Sequence, residues 1–314
     1  MISDAVRPAT RLLQRLLAVA TALVITTLPA HAGVGMLGEG FNLSSTSLGV
    51  TGGSHHWDVQ RKVIPSICQR RNASLVQGYE YGYSYFHTVF ASVAFAYRKC
   101  GQINRAARIN PLTWRVRPGY TILAGQSMGL GDVVVGVRTR LNHIDTASWE
   151  ILLAIPTGYD NNSAARLGRG ALGLGVGLLF SSLPYSVNSN PNPWGWSLGS
   201  RFTYYFSGKG NTLQSFIAAQ YALTDTNFEQ TGDFGEIRLA HSTGFALSGV
   251  QQQIFFNQVP NSMTNSDQTV LQLKYSHSFS TGLSTSAHIG KAFFGRNTPI
   301  DYTLGLGVSY RWKD

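Results

Sequence analysis

Gly125-Gln126-Ser127-Met128-Gly129 carries the G-x-S-x-G spacing that can hold a nucleophilic serine on a strained strand-to-helix turn. Chemistry at that serine requires a helix directly after it. Leu130-Gly131-Asp132 and a run of valines follow instead, so no catalytic residue is expected there. His55-His56 offers two imidazoles, but neighbours on a strand point to opposite faces and no third ligand accompanies them, so no metal site is expected. Gly173 to Gly177 is glycine-rich like a phosphate loop, yet no Gly-Lys-Ser/Thr follows and its period is two, which fits small residues on a crowded inner wall. No cofactor is expected. His143, His241, His277 and His288 stand singly. A lipid-facing serine and histidine, as outer-membrane lipases and lipid A deacylases use, would make the chain a membrane hydrolase, and this is the second functional reading.

Residues outside these motifs describe a repeated strand. Tyr302, Leu304, Leu306, Val308, Tyr310 and Trp312 alternate with Thr303, Gly305, Gly307, Ser309 and Arg311, the period of a strand with one apolar face and one small or polar face. The same alternation recurs at Tyr79, Tyr81, Tyr83 and Tyr85, at Val89 to Tyr97, at Val133 to Val137, at Trp149 to Ile155, at Leu172 to Phe180 and at Trp194 to Tyr204. Leu213 to Leu223, Ile237 to Leu247, Val250 to Phe256, Leu271 to Phe279 and Leu283 to Phe293 continue it. A helical period would scatter these residues round a cylinder. The expected fold is therefore all-β, an antiparallel transmembrane β-barrel of about twelve strands, or fourteen if strands lie in His55 to Ile67 or Leu112 to Ala124. Short connectors such as Gly208 to Asn211 and Thr281-Gly282 are expected at the periplasmic end, and longer ones such as Thr224 to Asp233 and Asn257 to Asp267 outside.

The first residues supply the address. Arg7, Arg11 and Arg15 precede an uncharged apolar run from Leu16 to Leu28, and Ala30-His31-Ala32 is a cleavage site, so residues 1–32 read as a signal peptide removed after Ala32. The run is too short to span a bilayer as a helix. Residues 33–72 are weakly patterned and are expected as a periplasmic lead-in, a plug or an extra strand, and 73–314 as the barrel in the bacterial outer membrane. Only 13% of residues are charged and 34 are glycine, which suits apolar residues spread along strands rather than gathered in a core. Cleavage removes three arginines and one aspartate and takes the net charge from +10 to +8. That basicity is suited to anionic solutes or lipopolysaccharide phosphates; nucleic acid is not expected, because no aromatic stacking platform is interleaved with the basic residues.

Alternation places Glu80, Arg98, Asp132, Arg138, Arg140, Glu150, Arg201, Glu236, Arg238, Lys274 and Arg311 on the lumen side. Basic groups outnumber acidic ones, so a weak anion preference is expected, unless facing charges pair and merely fill the barrel. Arg138, Arg140 and Arg201 are expected to tune selectivity without affecting folding. Cys68 and Cys100 are the only cysteines, and in an oxidising compartment they are expected to form a disulfide worth ~3 kcal/mol for a loop of about thirty residues. Expected partners are outer-membrane lipids and lipopolysaccharide, the barrel-assembly machinery and a small-molecule solute.

Gly129-Leu130-Gly131-Asp132 with its alternating basic strand, then Pro156-Thr157-Gly158-Tyr159-Asp160, then Leu167-Gly168-Arg169-Gly170, resemble the outer-membrane barrel family of the meta-pathway of phenol degradation. Gly78-Tyr79-Glu80-Tyr81 also fits its pattern. The chain departs from it in ending Trp312-Lys313-Asp314 and in a longer stretch from Leu183 to Pro193. The resemblance implies a channel for passive uptake of small aromatic or other hydrophobic compounds, and no binding residue is carried over from it. A barrel with a purely structural or adhesive role is the third reading, disfavoured by connectors of only about ten residues.

Overall fold

The computed structural model describes residues 36–314 except 59, 101–102, 106–107, 110–115, 118–119, 123–124, 142–146, 159–169, 183–184, 188–189, 207–210, 225–231, 246–265 and 280–281. The signal segment therefore lies outside the described residues. Twelve antiparallel strands form a closed barrel. They are β1 (Phe41–Trp57), β2 (Val63–Ser84), β3 (His87–Cys100), β4 (Gly125–Arg140), β5 (Ala147–Ile155) and β6 (Gly173–Ser182). Then follow β7 (Trp194–Tyr205), β8 (Asn211–Ala222), β9 (Gly232–Phe245), β10 (Ser266–Ser278), β11 (Leu283–Arg296) and β12 (Thr298–Lys313). Each pairs with the next in sequence, and β1 closes on β12 with Phe41 opposite Lys313 and Leu48 opposite Leu306. Closure leaves no unpaired edge, as a lipid-exposed sheet requires.

Alternation decides which way each strand faces. Leu48, Val176, Trp196, Ile217, Ile237, Leu273, Ile289 and Leu304 stand exposed on the outside. Aromatic residues gather towards both ends: Tyr79, Tyr310 and Trp312 with the Trp194–Tyr221 pair at the end holding the termini, Tyr97, Tyr204, Phe206 and Tyr302 at the other. An apolar band between two aromatic girdles is the outer surface of a membrane barrel. Tyr85 departs from its expected row, because β2 slips register against β3 between Gly82 and Ser84 and its ring ends beneath Arg140, 4.1 Å from the guanidinium carbon.

The weakly patterned stretch before Arg71 turns out to be β1 and the first part of β2. Its pattern is faint because Asn42, Ser44 and Thr46 face outwards: they lie opposite Trp312, Tyr310 and Val308 on one side and Tyr81, Tyr79 and Gln77 on the other. Their polar groups are met across the β1–β2 seam, Thr46 Oγ1 donating to Gln77 Oε1 at 2.5 Å, Gln77 Nε2 to Ser44 Oγ at 3.1 Å and the Tyr79 hydroxyl to Asn42 Oδ1 at 2.5 Å. The barrel thus starts at Phe41 rather than near residue 73. Just before it, residues 37–40 cross the inner face at the terminus end, with Leu37 N donating to Thr88 Oγ1 at 3.2 Å and Gly40 N to Gly82 O at 2.8 Å. Gly82 has to be glycine: a Cβ there would lie 2.1 Å from the Gly38 carbonyl oxygen.

His55 to Ile67 belongs to β1 and β2, and the part of Leu112 to Ala124 that is described forms short ladders outside the barrel, Val116–Arg117 with Arg108–Ile109 and Tyr120–Ile122 with Ile103–Arg105. Neither adds a thirteenth strand. Val250 to Phe256 lies outside the described residues. Strand direction also corrects the sorting of connectors. Residues 206–210 share a rim with 246–265, and the 279–282 turn shares the terminus rim with 223–231, so length alone did not assign the end.

Candidate functional site: the inner wall

With Ile151, Leu198 and Ile237 outwards, their strand neighbours must face in, and the inner wall is polar. At its centre is Glu150 on β5, fully buried. Register aligns Arg138, Glu150, Gly177 and Arg201 across β4 to β7. Arg201 donates from Nε to Glu150 Oε1 at 2.6 Å and holds the same oxygen through Nη2 at 2.5 Å. Arg138 Nη2 lies 3.6 Å from Glu150 Oε2, and its Nη1 reaches Glu80 Oε2 at 3.2 Å. The chain Glu80–Arg138–Glu150–Arg201 therefore ties β2 to β7 along the inside, two carboxylates against two guanidiniums. Gly177 makes room for it, since a Cβ there would sit 2.8 Å from Glu150 Oε1.

The opposite wall holds a second group. Glu236 accepts from Gln220 Nε2 at 2.7 Å and lies directly opposite Lys274, which in turn faces His288. Arg238 lies over the Phe216 ring at 3.9 Å. Between the two groups Gln214, Phe216, Arg238, Ser242 and Gln268 join Glu150 and Arg201 around a cavity of about 280 Å³. At the terminus end Arg311 lies over Phe41 at 4.5 Å. Arg140 is buried at the β4 end beside Tyr85. Arg98 stands opposite Asn72 and Ser127, and Asp132 lies at the bulge where β4 slips against β3. Ten of the eleven sequence-derived positions thus have inward parity; at Asp132 the bulge breaks the alternation, since Leu130 before it and Val137 after it both stand exposed on the outside. Sequence reading missed the groups that complete them, Thr88, Phe90, Gln214, Phe216, Gln220 and His288, although the same alternation marks each as inward.

Ser127 lies inside β4, with strand on both sides, so no nucleophile elbow forms around it. The lipid face does hold a serine next to a histidine: Ser215 is the cross-strand partner of His241. Both ring nitrogens of His241 are taken by threonines, Nδ1 by Thr269 at 2.9 Å and Nε2 by Thr243 at 2.8 Å, while Ser215 bonds to Ser200 at 3.0 Å. That is a polar network rather than a nucleophile and its base. His55 bonds to Ser54 at 2.9 Å at the loop end of β1.

A closed antiparallel barrel, apolar outside and charged inside, defines a transmembrane β-barrel of the outer-membrane type. No protein-family model matches the chain, and no curated protein matches it in sequence. The likeness to the phenol meta-pathway family thus rests on the motifs at residues 78–81 and 129–170. Among solved structures the chain is similar to an outer-membrane channel from Pseudomonas putida F1, with a TM-score of 0.63 and 12% identity over 90% of this chain and 99% of that one. The translocator domain of the autotransporter NalP from Neisseria meningitidis matches at TM-score 0.44 and 13% identity over 98% of both chains. The KdgM porin matches at 0.39 and 12% over 84% of this chain and 98% of that one.

Proposed function

We propose that the protein is an outer-membrane channel for passive passage of small solutes, exported by a signal peptide that is cleaved after Ala32. The observation that carries this is the inner wall. A barrel serving only as a scaffold would fill its interior with side chains and leave no space between them, as narrow barrels do. Here the buried apolar cluster among the described residues is confined to Ala154, Ala171 and Tyr205 with Val134, while the interior carries charge, amide groups and the cavity between Arg201 and Arg238. Water and ions are better matched to that surface than hydrocarbon is. An outer-membrane channel is built on the same fold. Single-channel conductance in planar bilayers tests the reading: discrete current steps are expected, and silence in both polarities would return it to the hydrolase or structural alternatives.

The ion pairs change which residues set selectivity. Arg138 and Arg201 are neutralised by Glu80 and Glu150, so replacing them with glutamine would strand carboxylates and disturb folding, unlike the outcome expected from sequence. Among the remaining inward cations, Arg238 lies over Phe216, Arg311 over Phe41, and Lys274 opposite Glu236. Arg238→Gln with Lys274→Gln is expected to move the reversal potential in a salt gradient towards cations, at near-native conductance. An unchanged reversal potential would mean that ions do not pass this wall. The resemblance of residues 129–180 suggests small aromatic or other hydrophobic solutes, so uptake of such a compound should fall in cells lacking the protein. Cys68 and Cys100 are proposed to be linked; β2–β3 register sets Cys100 opposite Arg70, and the two cysteine side chains lie outside the described residues. Alkylation of the unreduced protein should modify neither thiol by mass spectrometry, and two alkylated cysteines would remove the bond.

A further inference from the structure

On the outer face, one register row runs Lys99, Arg71, Gly52, Tyr302, Lys291 and Leu271 across β3, β2, β1, β12, β11 and β10. Two residues nearer the barrel middle, the next outward row runs Tyr97, Ala73, Val50, Leu304, Ile289 and Leu273. Two residues of strand separate the rows by ~7 Å. Members of both rows line one groove of about 880 Å³. The lower row is wholly apolar except for the Tyr97 hydroxyl. The upper row is where the cations are: Arg71, Lys99 and Lys291 are all exposed, and among the described residues none of them is paired with a carboxylate. Lys291 also lies 5.0 Å from the Tyr302 ring, which holds its ammonium over the groove.

Three unpaired cations on a hydrocarbon-facing wall are costly unless an anionic headgroup meets them. This row lies at the end opposite both termini, the end with the 101–124, 156–172 and 246–265 connectors. In an outer-membrane barrel the longer loops face the exterior, so the row sits at the level of the outer leaflet. The cations are also spread apart. Arg71 and Lys99 are direct cross-strand neighbours, whereas Lys291 is three strands from Arg71, on the order of 14 Å along the wall. One phosphodiester headgroup spans only one of these positions. A headgroup with phosphates at two ends spans both, with its acyl chains lying down the groove.

We propose that this groove binds one lipopolysaccharide molecule through its lipid A part, one phosphate between Arg71 and Lys99, the other at Lys291, and acyl chains against Val50, Ile289 and Leu304. The proposal depends on the barrel's orientation and not on whether the lumen conducts. The full barrel, purified in mild detergent, is titrated with bisphosphorylated lipid A and read by native mass spectrometry. One tightly held molecule per chain is expected. Changing Arg71, Lys99 and Lys291 together to glutamine should weaken it on the order of 100-fold, at about a factor of five per cation, and Lys62→Gln in the adjoining loop should have no effect. Ile289→Trp, which fills the groove without changing charge, should also weaken binding, and with single Lys291→Gln it gives the answer if the triple variant does not fold. Native affinity in these variants, equal binding of lipid A stripped of both phosphates, or equal competition by phosphatidylglycerol would each overturn the proposal.

Discussion

Glu150→Ala is expected to lower stability by ~3 kcal/mol or more, the largest effect of any single inner-wall change, because it leaves two guanidiniums facing one another with no carboxylate between them. The magnitude depends on how wet the lumen is. An exposed ion pair is worth at most about 1 kcal/mol, and Arg201 is 35% exposed, which argues for the small figure on its side. Glu150 itself is 0% exposed and Arg138 only 9%, so on the other side the loss is that of a desolvated partner. The dry side dominates, since Arg138 is left with Glu80 alone and cannot turn to water. Glu150→Gln keeps an acceptor for Arg201 and should cost less. Glu150→Leu combined with Arg138→Met and Arg201→Met should recover most of the loss, as buried ion networks replaced whole by apolar groups often do. Urea unfolding in detergent or lipid, followed by heat-modifiable gel mobility, reads all three. If Glu150→Ala costs no more than Ser181→Ala, the network contributes little to folding.

Arginine in place of Val176, Leu174 or Leu306 should cost ~2 to 4 kcal/mol where the site lies near the bilayer middle, less towards either girdle. The three side chains are exposed on the outside, and Val176 lies between Ile151 and Phe202 on the neighbouring strands, with no polar partner for a guanidinium. The matching inner-face control needs care. Gly175 and Ser309 look tolerant from alternation alone, but a Cβ at Gly175 would lie 2.8 Å from Leu152, and Ser309 is buried against Ser284 at 2.9 Å. Thr303, which lies between Thr51 and Gly290 on the inner face, is the better site. Thr303→Arg should alter conductance more than unfolding. Equal loss at Val176 and Thr303 would indicate a water-soluble sandwich with two covered faces rather than a barrel in lipid.

Period-two patterning made the barrel legible, because a residue's face depends only on its parity along a strand, and Leu304, Trp196 and Ile237 announce theirs without help from the rest of the chain. The inward charges were legible for the same reason. Their partners were not. Whether Arg201 meets Glu150 depends on the register of two strand pairs, and Arg138's second contact comes from β2, 58 residues away. β1 stood only as one of three alternatives for residues 33–72, because its polar residues face out and satisfy one another across the β1–β2 seam, which erases the apolar signal that marks a lipid face. Tyr85 was misplaced because a one-residue slip at a hairpin inverts parity beyond it. The length of a single connector failed as a guide to the rim, because residues 279–282 and 223–231 leave the same end, whereas the three longest connectors, 101–124, 156–172 and 246–265, all leave the other.

The seam between β1 and β12 has a kinetic meaning. Phe41 meets Lys313 there, so the bonds that finish the cylinder join the two ends of the folded chain, the largest sequence separation it contains. Loop-closure entropy grows only slowly with length, adding about 0.6 kcal/mol per doubling, so the seam is affordable in equilibrium terms; it is the search for it that is long. Until the last strand arrives, every partial assembly of hairpins keeps two open edges whose amides have no partner in hydrocarbon. Folding and membrane entry are therefore expected to be coupled, and a chain shortened before Tyr302 loses the strand that pairs with both β1 and β11.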